Sequence, residues 1–168
     1  MTEQTISWVL AAGPTGDVDI EARAVDGAER AVQVRVGDAV DTIALGAPGE
    51  PTEAGDLSFE GAVAMVRDSR EGVHRYALID GTRLLLGVAE LIESDAPVSA
   101  GAVIEPGLVR AGITCAEPAT VTLHCPVEPD MVRLTGIDAP VDVDFNADAR
   151  TVTLALPAGT YELTVRAL

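Results

Sequence analysis

Apolar residues in this chain recur at every second position, in runs too short for a helix to use. AVQVRV (31–36) places Val32, Val34 and Val36 on one side and Gln33 and Arg35 on the other. VDIEARA (18–24) aligns Val18, Ile20, Ala22 and Ala24, RTVTLAL (150–156) aligns Val152, Leu154 and Leu156, and YELTV (161–165) aligns Tyr161, Leu163 and Val165. Side chains alternate along a strand, so a period of two buries one face of an extended segment and wets the other. Further runs of this kind lie near 5–11, 39–45, 57–66, 73–79, 82–92, 108–115, 119–125, 130–135 and 140–145, and 16 glycines and 10 prolines punctuate the chain. The pattern predicts an all-β chain, an antiparallel β-sandwich of roughly a dozen strands in layered sheets.

A length of 168 residues suits a single domain spanning 1–168. A sub-boundary is possible near 105–107, at Glu105-Pro106-Gly107, between a larger sheet region (1–106) and a smaller one (107–168). GAPGEPTEAGD (46–56) reads as the most loop-like segment, rich in Gly, Pro and acids. With only 3% aromatic residues, the core must be aliphatic.

The net charge of −16 narrows the partners. All 11 basic residues are arginines, and their field is outweighed by 27 acids. A surface of that sign repels phosphate backbones and anionic bilayers, so the expectation is no nucleic acid and no membrane. MTEQTISWVLAAG lacks the basic start of a secretory leader, and no run of 18 apolar residues exists to cross a bilayer. The compartment stays open.

HRYALIDGTRLLLG (74–87) gathers His74, Arg75, Tyr76, Asp80 and Arg83. Asp80-Gly81 between two apolar runs predicts a tight hairpin turn, because both residues tolerate positive φ. His74 then sits at a strand start with no partner set for catalysis. No Gly-x-Ser-x-Gly elbow exists, and His124 and Cys125, adjacent on a strand, face opposite sides and form no dyad. Cys115 and Cys125 are expected on paired strands of a hairpin, too far apart in register to bridge, leaving two free thiols.

DVDFNAD places Asp142, Asp144, Asn146 and Asp148 at the alternate positions of a calcium loop. It has Ala147 where such a loop needs glycine and Thr153 where it needs glutamate. The simpler reading is a strand whose acids face water while Val141, Val143 and Phe145 form its apolar face, with Asn146–Asp148 making the turn. Neither a metal nor another cofactor is expected. The few rings, Trp8 and Tyr161 among them, alternate with aliphatic residues and read as core, which leaves no aromatic platform for sugars.

The order of segments RYALIDGTRL, SDAPV, PATVTLHCP, VRLTGIDAPVDVDF and TVTLALPAGTYELTV resembles the C-terminal β-rich region of heparinase II/III-like polysaccharide lyases. The resemblance implies layered antiparallel sheets that follow an α/α toroid. In that family the catalytic asparagine, tyrosine and histidine lie mostly on the toroid, so none is carried to a position of this chain. It implies a non-catalytic accessory region that packs on a catalytic domain, of the same polypeptide or of a partner protein, and helps to wall a polysaccharide cleft. Arg67, Arg70, Arg75 and Arg83, with His74, are the candidate contacts to an anionic substrate. The alternative is a stand-alone immunoglobulin-like adhesion, structural or carbohydrate-binding module.

Overall fold

A computed structural model describes residues 20–47, 49–137 and 142–167. The expected strand near 5–11, with Trp8, lies outside these residues, as do Val18 and Val141. Among them are fourteen strands and no helix, so none is long and apolar enough to cross a membrane. The first eight are β1 (Ile20–Ala24), β2 (Ala31–Val36), β3 (Ala39–Leu45), β4 (Pro51–Ala54), β5 (Leu57–Glu60), β6 (Val63–Ser69), β7 (Gly72–Leu86) and β8 (Ala89–Glu105). Then come β9 (Leu108–Cys115), β10 (Ala119–His124), β11 (Met131–Thr135), β12 (Val143–Asn146), β13 (Thr151–Leu156) and β14 (Gly159–Arg166). Every pairing is antiparallel, the arrangement in which a sheet commonly buries one face and wets the other.

The strands form two layers that share their longest members. The first layer runs β1-β2-β3-β6-β7-β8-β9-β14-β11. The second runs β4-β5-β7-β8-β10-β13-β12. The first half of β7 pairs β6 and its second half pairs β5. The second half of β8 pairs β9 while Ile92–Ser94, in its first half, pairs β10. Aliphatic inner faces meet between the layers, with Leu78, Ile113 and Leu163 from one and Leu84, Leu123 and Leu154 from the other, all fully buried. The Tyr76 hydroxyl donates to the His124 carbonyl at 2.7 Å and ties β7 to β10 across the core.

Asp80-Gly81 does not reverse the chain. Asp80 takes φ 48°, and the register between Leu78 and Arg83 slips, so β7 bends from one layer into the other. The actual reversal is at Gly87-Val88, between Leu86 and Ala89, with Gly87 at φ 58°. Gly81 has no room for a side chain: a Cβ would run into the Glu60 carbonyl and sit 2.8 Å from Gly61 Cα. Gly61 is the facing half of this crossing, where the single expected strand 57–66 breaks into β5 in one layer and β6 in the other.

The expected hairpin between Cys115 and Cys125 is also a layer crossing. β9 pairs β8 and β14, whereas β10 pairs β8 and β13, so residues 116–118 carry the chain across the core. Pro157-Ala158 does the same between β13 and β14, and the Tyr161 hydroxyl donates to the Pro157 carbonyl at 2.8 Å to pin the corner. The segment 46–56 is only partly loop, since β4 pairs β5 through a Gly55-Asp56 turn.

Candidate functional site

The structure divides the expected arginine cluster between two surfaces. Arg67 and Arg75 stand directly opposite each other on β6 and β7, on the outer face of the first layer. The Arg67 guanidinium grips both oxygens of Asp41, with Nε 2.7 Å from Oδ1. This pairing outweighs burial and raises the already high pKa of Arg67. Arg70 is exposed at the tip of the β6–β7 hairpin. Arg83 lies beyond the bend on the outer face of the second layer, with Nε 3.5 Å from Glu90 Oε1. His74 is half-buried, its Nε2 2.6 Å from Ser69 Oγ, and that oxygen also accepts the Glu71 backbone N–H at 3.1 Å. His74 thus clasps the hairpin.

What sequence proximity misses is a row assembled by strand pairing. Arg67 faces Arg75, Arg75 faces Val103, Val103 faces Arg110, Arg110 faces Thr164 and Thr164 faces Arg133. The pleat puts this whole row on the outer face of the first layer. Alongside it, Ala77, Gly101, Gly112 and Glu162 form the next row. Glycines leave the sheet bare there, and a groove of about 630 Å³ opens over them, edged by Arg75, Arg110, Glu162 and Thr164. Arg110 is held by Glu105 at 2.8 Å, while no carboxylate of a described residue pairs with Arg75 or Arg133. Only the spacing of alternating strands could have hinted at this row, because Arg110 and Arg133 lie far from Arg75 in sequence.

The groups that might do covalent chemistry are held inert. Burial raises the Cys115 and Cys125 thiols above their ordinary pKa, so both remain protonated and poorly nucleophilic. Both are buried and free, and they lie in different layers. The Cys125 thiol donates to the Val127 carbonyl at 3.4 Å. Burial, and then Arg150, lowers the His124 pKa, and its ring faces away from Cys125. Burial first, and then the Cys125 thiol, pushes the Tyr76 phenol well above its usual range.

Asp142, Asp144, Asn146 and Asp148 are all exposed, whereas Val143 and Phe145 are half-buried against the core. Asn146 Oδ1 accepts the backbone N–H groups of Asp148 (3.1 Å) and Ala149 (3.0 Å), which makes the side chain a turn former. Among the described residues no three His, Cys, Asp or Glu side chains gather closely enough to hold a metal.

Fold and site together define an antiparallel β-sandwich that offers a surface, with no assembled catalytic set among the described residues. No protein-family model matches this chain, and no curated protein matches it either. The lyase resemblance therefore rests on the quoted segments alone.

Proposed function

We propose that this chain is the non-catalytic accessory sandwich of a polysaccharide-degrading enzyme of the heparinase II/III-like kind, packing on a catalytic domain and walling one side of its substrate cleft. The observation that supports this most is the groove over Gly101 and Gly112. In a chain of net charge −16, it sets Arg75 and Arg110 along a floor without side chains. A guanidinium presents a planar fork to a carboxylate, and a bare floor lets a sugar ring approach the sheet. Thr164 and Glu162 supply hydroxyl and carboxylate partners for sugar hydroxyls on the opposite edge.

The stand-alone module is the competing reading. An antibody raised to this domain and blotted against the source organism separates the two. A native polypeptide several times the 17.3 kDa of this chain supports the accessory role, and a band at 17.3 kDa from which the antibody co-precipitates no polysaccharide lyase overturns it.

A further inference from the structure

Two apolar clusters form in this chain, and only one lies between the layers. Among the buried apolar side chains of the described residues, Val34 alone stands apart from the core that the two inner faces share. It is 7% exposed, yet its partners in register, Asp41 on β3 and Arg67 beyond it on β6, belong to the outer face of the first layer. Val32, Val36 and Ile43 lie on that same side and are half-buried. Asp41, neutralised by Arg67, has only 16% of its side chain exposed. Ala22, the partner of Val34 on the edge strand β1, is small and itself exposed, so it does not bury Val34.

The other side of β1 and β2 is wet. Glu21, Arg23 and Arg35 are exposed there, Arg23 donates to Gln33 Oε1 at 2.8 Å, and Gln33 donates to Thr42 Oγ1 at 3.2 Å. This strand pair thus reverses the sense of the sandwich, with polar groups toward the second layer and aliphatic groups away from it. Such a face is left in water unless something covers it. No described strand does, because β4, β5, β10, β12 and β13 all lie in the second layer, across the core.

Chemistry and reach select the cover. The turns bordering this face carry Asp26, Glu29, Asp38 and Glu71, which repel an acidic surface and favour a neutral one. Residues 5–11, TISWVLA, carry no charge, and alternation sets Ile6, Trp8 and Leu10 on one side. Residues 12–19 join them to β1 and include the turn formers Gly13, Pro14 and Gly16. That connector can extend to about 27 Å, several times the ~4.8 Å between neighbouring strands. A tethered segment also acts at a high effective concentration. We propose that residues 5–11 are the lid of the second cluster, laying Ile6, Trp8 and Leu10 over Val34, Val36 and Ile43 on the outer face of β2 and β3. The groove over Gly101 and Gly112, on β8 and β9, stays open.

Trp8 is the one tryptophan of the chain, so its signals report on the lid without a label. In the whole chain, nuclear Overhauser contacts are expected from the Trp8 indole to the methyls of Val34 and Ile43. Trp8→Ala should speed amide exchange on β2 and β3 by about tenfold and leave β9 and β14 unchanged. Val34→Ala, a milder cut on the other partner, should shift Trp8 emission to the red. Indole contacts to core residues such as Leu123 overturn the inference, as does an indole that acrylamide quenches as freely as in urea. Unchanged exchange in Trp8→Ala does the same. So do contacts that vanish on dilution as a dimer dissociates, because the lid would then belong to a second copy.

Discussion

The two outer faces of this sandwich are built by the same alternation and have opposite characters. The first layer presents five arginines, Arg67, Arg75, Arg110, Arg133 and Arg166, against four carboxylates, Asp41, Asp80, Glu105 and Glu162. The second presents Arg83, with Arg150 at its edge beside His124, against Glu53, Glu60, Glu90, Glu93, Asp95 and Asp144. Of the five large apolar side chains left exposed among the described residues, Ile20, Leu45, Ile79 and Met131 lie on the first face, and Val88 at a hairpin tip. The second face is instead lined by threonines, with Thr122 and Thr153 sharing a 3.0 Å hydrogen bond. Net charge, read over the whole chain, describes only the second face. An acidic protein can thus concentrate its few cations where contact is needed, and leave the other side to water.

The comparison is broken most thoroughly where the layers cross. Gly81→Ala drives a methyl into the Glu60 carbonyl, and the expected loss is about 3 kcal/mol in urea denaturation. Hydrogen exchange should then rise on both layers together. If only one layer loosens, the crossing does not hold the faces in their relation. Tyr76→Phe removes the hydroxyl that bridges β7 to β10 and strips the His124 carbonyl of that partner. It should cost about 1.5 kcal/mol with little change in the denaturant slope.

Charge reversal sharpens the contrast. Arg83→Glu would align three acids, because Arg83 stands between Glu60 and Glu93. A loss of about 1 kcal/mol is expected at low salt, recovered in high salt. Arg75→Glu ends an arginine–arginine facing and should leave stability within about 0.5 kcal/mol. Equal losses would mean that the two faces do not differ electrostatically. The smallest effect belongs to His124. Its pKa is lowered in the fold, so as pH falls below its ordinary 6.5 the unfolded chain binds the proton first. Stability should decline from there until the lowered folded value is passed. His124→Gln should flatten that limb, and an unchanged limb would assign it to another group.

Strand existence was legible because each strand buries one side, and VQVRV and TVTLAL carry that signature locally. Which strands pair was not. Asp80-Gly81 looks the same whether its positive φ reverses a chain or bends it into a second sheet, and Pro157-Ala158-Gly159 likewise marked a corner. The true reversal at Gly87-Val88 sits inside an apolar run with no polar marker. β4 hid in a Pro-rich stretch because Pro51 can begin a short edge strand. For the surface, Arg75 was visible, but its companions Arg110 and Arg133 come from distant strands. Arg83, its sequence neighbour, turned out to belong to the other side.

β7 and β8 each serve both layers, with an unbroken backbone through the bend. That continuity makes the sandwich a single melting unit. Fraying of one layer pulls on strands that are also the middle of the other, so partial opening gains little chain entropy before the whole core is lost. The same economy delays assembly, because neither layer can close until partners far apart along the chain have met. A sandwich built this way travels between polypeptides whole or not at all.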